Sequence, residues 1–421
     1  MKLLPSNRRK PKSPRTKGKS RPWMHLNAAA PPAKGKAHLA AVIVQFRKGF
    51  VFEKHWNRVK KEIYPYTIGL QVRLPLIRSV AATIPLGALG KLRGCKHVYK
   101  VYPDRKQQIL LHAATPGIGA SAAQRSGWTG KGVGIAIIDT GVYPHPDLTR
   151  PASRIAAFKD FVNGRHKPYD DNGHGTHCAG SAAGNGYSSN GRYRGPAPKA
   201  SIIGVKVFDK NGGGLDSKII RGIDWCVRNR KRYGIRIASL SLGERALVPS
   251  RDDPLCQAVE RAVKSGLVVV AATGNYGPAP GTIITPGISP LAITVGASTG
   301  RGGSRSPERV ADFSSRGPTK DGRTKPDLVA PGVDIVSLRV PGSTLDRRLR
   351  GDRRSRWYLA MSGTSMATPL AAGAAAQPLQ KYPELTPLAV KRRLKRSAVR
   401  LGQSANAQGD GRLDVGFLAR S

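Results

Sequence analysis

VGIAIID, residues 133–139, is an unbroken apolar run that stops at a carboxylate. A strand with one wet face alternates apolar and polar residues, whereas a run that is apolar throughout is a strand covered on both faces. Similar runs recur downstream: ASIIGVKVF (200–208), RIASLSL (236–242), GLVVVAAT (266–273) and LAITVGA (291–297). Between them lie stretches with helical spacing, LDSKIIRGIDWCVRNRKRYG (215–234) and DPLCQAVERAVKSG (253–266). Apolar strands alternating with helices predict an α/β fold with a parallel central sheet between two helical layers. Ligands of such sheets bind at the carboxyl ends of the strands, and Asp139 stands at one of these ends. Taken alone, it reads equally as a turn or capping aspartate.

Upstream the pattern is smaller. HLAAVIVQFRKGF (38–50) is a β-branched run and reads as a strand. VFEKHWNRVKKEI has helical spacing, YTIGLQVRL reads as a strand, IPLGALGKLRG as a short helix and KHVYKVYPD as a strand. This series predicts a small α+β domain over 38–110, ending near Gln108, with the larger domain over 111–421. Residues 1–37 hold many Lys, Arg, Pro and Ser and no acidic residue, which predicts a disordered basic tail.

The 421 residues carry 71 Lys and Arg against 25 Asp and Glu, a formal net charge of +46. Such a field attracts polyanions. The basic residues are nevertheless spread along nearly the whole chain, and no aromatic-interleaved RNA-binding signature accompanies them. A general Arg/Lys bias and a polyanion-binding role both stay open. No apolar run approaches the roughly 18 residues that span a bilayer. The charged N-terminus lacks the apolar core of a secretory signal, so a cytoplasmic location is expected, with export by a non-standard route as the alternative. The four cysteines (Cys95, Cys178, Cys226 and Cys256) form no C-x-x-C pair, and reduced thiols are expected.

Two further stretches carry chemistry. YDDNGHGTHCAGSAAG (169–184) sets His174 and His177 three residues apart among small residues. A zinc site is one reading, but H-x-x-H lacks the third ligand and the glutamate of H-E-x-x-H. The other is that His174, at a helix start, shuttles protons, while His177 one turn on is buried and structural. MSGTSMATPLAAGAAA (361–376) opens a helix of very small residues at Ser365. A lone serine there is commonly just a helix cap. Asp, His and Ser in this order, however, match one known arrangement of the hydrolase triad. The imidazole takes the serine proton, and the carboxylate fixes the imidazole tautomer.

IAIIDTGV, DNGHGTHCAG and SGTSMATP resemble the three active-site signatures of the subtilisin-like serine peptidases, the subtilases. The similarity continues through YRGPAPKASIIGVKVF, SLSLG, AATGN, FSSRGPT and KPDLVAPG and covers roughly residues 111–417. YDDNGHGTHCAG, YRGPAP and the pair Trp225-Cys226 resemble the bacterial intracellular alkaline (AprX-like) branch. The resemblance implies a three-layer subtilisin-like fold and a serine endopeptidase acting through an acyl-enzyme. It gives Asp139, His174 and Ser365 the triad roles. Asn275 becomes the oxyanion-hole side chain, acting with the backbone N–H of Ser365. Ser241, Leu242, Gly243, Ala272, Thr273 and Gly274 become walls of the substrate pocket. Gly212, Gly213 and Gly214 become an edge that pairs with an extended peptide. Residues 38–110 are similar to an inhibitory propeptide, which implies removal near 108–116, with LLHAATPGIGA (110–120) as the junction. No cofactor is implied for catalysis; structural calcium is common in the family, but no site can be placed here. A monomer acting on proteins or peptides is expected.

Two features depart from the family pattern. Pro378 falls inside the serine helix, where an interior proline costs about 3 kcal/mol; the expectation is an early end or a kink, with the nucleophile intact and stability reduced. RVPGSTLDRRLRGDRRSRWYLA (339–360) is a basic loop just before the serine motif, either an attractor of acidic substrates or a solvated surface loop. Two rivals to the peptidase remain: a non-catalytic polyanion binder on the same scaffold, and an esterase or other acyl transferase with the same triad.

Overall fold

A computed structural model describes residues 39–109, 118–300 and 307–420. The expected tail over 1–37 and most of the expected junction, 110–117, lie outside the described residues.

Seven parallel strands form the central sheet. Their spatial order is Leu328–Pro331, Ile293–Ser298, Val268–Ala272, Ile235–Leu240, Gly134–Asp139, Ser201–Lys206 and Ile155–Asp160. The five middle strands are those expected from the apolar runs. The two outermost, 155–160 and 328–331, were not anticipated.

Side chains alternate across the sheet. Ile135 and Ile137 enter one buried cluster with Cys178 and Ala179 of the helix His174–Ala183 and Met366 to Ala376 of the helix Thr364–Lys381. Ala136 and Ile138 enter a second with Ile219 and Ile223 of the helix Asp216–Asn229 and Val259 of the helix Pro254–Lys264. The strands read as near-continuous apolar runs because each face meets its own helical layer.

The N-terminal α+β domain has a four-stranded antiparallel sheet ordered Ile68–Leu74, Ser79–Pro85, Leu39–Phe46, Val98–Pro103. Ser79–Pro85, an inner strand, was missed in the sequence, and the helix expected over 84–94 is confined to Leu89–Gly94 after a single 3₁₀ turn. Val42, Val44 and Phe46 pack on Phe52, Trp56 and Ile63 within the domain. Ile43, Leu74 and Tyr102 face the other way and join the cluster of the helices at 216–229 and 254–264. One face of the small sheet thus buries itself on the larger domain.

The domain's last segment behaves differently from the rest. Lys106–Ile109 leaves the small sheet and pairs antiparallel with two short strands of the larger domain. Gln107 and Gln108 lie opposite Gly214 and Gly213, and Gln108 and Ile109 opposite Gly243 and Leu242.

The helix Thr364–Lys381 runs on past Pro378, so the early end expected from that proline does not occur. The whole segment from Thr364 to Leu379 is buried, and tertiary packing overrides the local penalty. Pro369, also inside the helix, contributes no N–H to the carbonyl of Ser365 four residues back. That carbonyl instead accepts from Ser241 Oγ at 2.9 Å.

Candidate active site

Asp139 ends its strand and His174 begins its helix, and both are essentially unexposed. The helix must approach the sheet closely to bring them together. Gly175 permits this, because a Cβ there would sit 2.2 Å from the carbonyl oxygen of Gly141 and 3.1 Å from Asp139 Cβ. Asp139 Oδ1 accepts a hydrogen bond from His174 Nδ1 at 2.8 Å and another from the backbone of Thr140 at 2.7 Å. Burial on its own would depress the imidazole pKa, but the charge of Asp139 overcomes it and holds His174 well above its ordinary range. The bond to the Asp139 carboxylate fixes Nδ1 as the nitrogen that keeps its proton, and Nε2 is buried with no hydrogen-bond partner.

His177 has the opposite fate. Its Nε2 donates to the carbonyls of Ile335 and Leu359, both at 3.1 Å, and burial drives its pKa down to about 3. It stays neutral and ties the helix to the antiparallel strand pair 335–338 and 358–361.

The cap of the His174 helix does not come from the expected position. Gly173 is the N-cap and has no side chain. Asp170, three residues earlier, takes over the role. Its Oδ2 accepts from the backbone and hydroxyl of Thr176 at 2.9 and 2.7 Å. Its Oδ1 accepts from Thr140 Oγ and from the backbones of Asn172 and Gly173, at 2.9, 3.1 and 2.8 Å. Asp170 was not singled out in the sequence, although Asp-Asp-Asn-Gly before a helix is a turn-and-cap pattern.

Ser365 is the second residue of its helix and is fully buried. Its Oγ donates to the carbonyl of Ser241 at 2.9 Å rather than to His174. Cys178 bridges the two helices, with Sγ 3.8 Å from His174 Nδ1 and 3.5 Å from the carbonyl of Ser365. Asn275 follows the strand Val268–Ala272 through Thr273 and Gly274. Its Oδ1 accepts from the backbone and hydroxyl of Thr364 at 3.0 and 2.9 Å, which leaves Nδ2 buried without a partner. The site thus holds an unpaired acceptor on His174 and an unpaired donor on Asn275.

The expected pocket residues converge here as well. Leu242 and Gly243 form one edge and Gly213 and Gly214 the other, with Lys106–Ile109 between them, and Ser241, just before the first edge, bonds to Ser365. Gly212 stands at the turn before that edge, its N–H bonded to the carbonyl of Asp209. Ala272, Thr273 and Gly274 continue toward Asn275, and Gly274 N–H meets Thr364 Oγ at 3.3 Å.

Asp139, His174 and Cys178 offer donor atoms within 4.8 Å of one another, as a metal site would. A metal there would have to displace the hydrogen bond that orients His174. The basic loop is anchored beside this helix rather than free. Thr344 and Leu345 N–H groups bond to the carbonyls of Asp171 and Asn172, and buried Asp346 is gripped by Arg339 and Arg353.

A carboxylate, an imidazole and a hydroxyl at the carboxyl end of a parallel sheet, beside an unpaired amide donor, define a serine hydrolase. The chain belongs to the subtilase family, whose model matches residues 130–412. It is 48% identical over 335 residues to "Serine protease AprX" of Bacillus subtilis (strain 168), covering 77% of this chain and 75% of that one. It is 39% identical over 301 residues to "Subtilisin Savinase" of Lederbergia lenta (72% and 96%) and 35% identical over 342 residues to "Subtilisin E" of Bacillus subtilis (80% and 79%). The protein is a serine-type endopeptidase with protein or peptide substrates. No described helix is long and apolar enough to cross a membrane.

Proposed function

We propose that Asp139, His174, Ser365 and Asn275 perform the cleavage and that residues 38–110 form a propeptide seated in the cleft. The carrying observation is the pair of buried, unpaired groups, His174 Nε2 and Asn275 Nδ2. Among the buried polar atoms left without partners, these two are a base and an anion donor on segments that meet at the start of the Ser365 helix. The Ser365 hydroxyl turns from Ser241 to His174 Nε2 and attacks the substrate carbonyl as its proton passes to the imidazole. Asp139 stabilises the imidazolium. Asn275 Nδ2 and the backbone N–H of Ser365 bind the oxyanion, more strongly as its charge develops. His174 then protonates the leaving amine, and water releases the acyl group by the same steps in reverse.

The propeptide reading is supported by Lys106–Ile109, which pairs with both edges as an extended substrate would. The nucleophile, base and anion donors all come from one chain, in keeping with a monomer that needs no metal for the chemistry. Reduced, buried Cys178, Cys226 and Cys256 are consistent with a cytoplasmic location. Exposed Arg347, Arg348, Arg350, Arg354 and Arg356 on the anchored loop support attraction of acidic substrates or other polyanions, as does the charge of +46.

The test is casein hydrolysis by the purified chain beside Ser365→Ala, with mass spectrometry of both. Cleavage by the wild type alone, with a new N-terminus near 108–116, is the expected result. A folded, intact and inactive wild type would overturn both assignments. Matched ester and amide substrates separate a peptidase from an esterase, and a steep salt dependence of nucleic-acid binding would identify the polyanion binder.

A further inference from the structure

We propose that Asp216 and Asp253 form a subsite for an arginine side chain of the substrate, a subsite occupied in this structure by Arg105. This rests on the reading of the cleft strand as a substrate mimic.

Asp216 opens the helix 216–229, and Asp253 caps the helix 254–264 with Oδ1 accepting from Leu255 and Cys256 N–H at 3.0 Å. Both carboxylates are fully buried. One guanidinium spans them, with Arg105 Nε 3.1 Å from Asp216 Oδ2 and Nη2 2.7 Å from Asp253 Oδ2. The planar fork of arginine can bridge two carboxylates in this way, whereas the compact ammonium of lysine cannot do so with fixed geometry. Gln107, two residues on and therefore on the same strand face, donates to Asp216 Oδ1 at 2.7 Å. The backbone joins in as well, since Asp216 N–H donates to the carbonyl of Arg105 at 3.0 Å.

The contact is continuous with the substrate groove. Lys106 lies opposite Leu215 and Gln107 opposite Gly214, so Arg105 stands one step beyond the end of that edge. Any polypeptide lying in the groove in the same register presents its corresponding side chain to the two aspartates. When the segment that carries Arg105 departs, the two neighbouring carboxylates lose the counter-charge they share. Such a pair is costly, and an incoming arginine relieves it. Burial pushes Asp216 up to about 7 even with Arg105 beside it, and Asp253 adds to the rise. In a chain of net charge +46, this is a local acidic spot built from two helix starts.

The test uses the active protein and peptides copied from its own strand, PDRKQQILLHAA (103–114), with arginine, lysine or glutamine at the position of Arg105. The arginine peptide should exceed the glutamine peptide in kcat/KM by at least about tenfold, the loss of a charge-assisted hydrogen-bond pair, through KM rather than kcat. Lysine should fall between them. In Asp253→Asn and, separately, Asp216→Asn, the arginine-to-glutamine ratio should collapse toward one; a ratio is unaffected by a smaller folded fraction. A ratio near one in the wild type, or an unchanged ratio in both variants, would overturn the subsite. If none of these peptides is cleaved, casein hydrolysis decides on the peptidase assignment, and the subsite is read without turnover. In the uncleaved Ser365→Ala chain, Arg105→Gln should speed amide exchange over 106–109 by about tenfold or more, and unchanged exchange would overturn it.

Discussion

Replacing Asp170 with asparagine tests the claim that this buried carboxylate, rather than the N-cap residue, holds the first turn of the His174 helix. Asp170 accepts five hydrogen bonds, three on Oδ1 and two on Oδ2. An amide oxygen can keep the three on Oδ1. The amide nitrogen, placed where Oδ2 was, faces the N–H of Thr176 as one donor against another. Thr176 Oγ can turn to accept, but its own proton then needs a new acceptor. One orphaned backbone donor costs about 1–3 kcal/mol, and the three retained bonds lose their charge assistance. With the lost charge assistance taken as about 2 kcal/mol over the three bonds, the sum is about 3–5 kcal/mol. The assay is urea unfolding in a Ser365→Ala background, which prevents self-digestion, with the unfolding slope checked for constancy. In active protein, kcat should fall while KM changes little, because the loosened turn carries the base. A destabilisation below about 1 kcal/mol, or a loss confined to KM, would refute the reasoning.

Three further outcomes are expected. Because Asp139 raises the pKa of His174 above its ordinary 6.5, kcat/KM should fall as pH drops through a value above that, giving an alkaline optimum; Asp139→Asn should move this limb downward in a pH–rate profile. Pro378→Ala restores an N–H opposite the carbonyl of Ala374 and should raise the urea midpoint by the equivalent of about 1–3 kcal/mol. Asp346, held at about 2 largely by Arg339, Gly342 N–H and Arg353 in opposition to its burial, has a folded pKa below its ordinary 3.8. Its contribution is therefore complete above about pH 4 and lost as pH falls toward 2, so hydrogen exchange over 341–357 should rise in that window, and Asp346→Asn should abolish the dependence.

What could be read from the chain in advance followed from local pattern. The five inner strands announce themselves because both faces are buried and most positions are apolar. Ile155–Asp160 does not, since most of its residues are only partly buried and its sequence, IAAFKD, ends polar. Leu328–Pro331 is four residues closed by a proline. Ser79–Pro85, made largely of small residues, gives a weak signal beside the β-branched run it pairs with. At the site, Asp139, His174, Ser365 and Asn275 stood out through motif resemblance. Asp170 did not, because its role depends on a turn that folds its carboxylate back under a helix start.

The sequence alone determined a two-sided parallel sheet and the placing of reactive groups at strand and helix ends. Both follow from hydrophobic period and short motifs, which act within a dozen or so residues. The tertiary structure alone decided that 106–109 lies between two strand edges and that Arg105 meets Asp216 and Asp253, 111 and 148 residues away. A buried charge needs a partner of matching geometry, and which partner arrives depends on how distant segments cross, which no local pattern records.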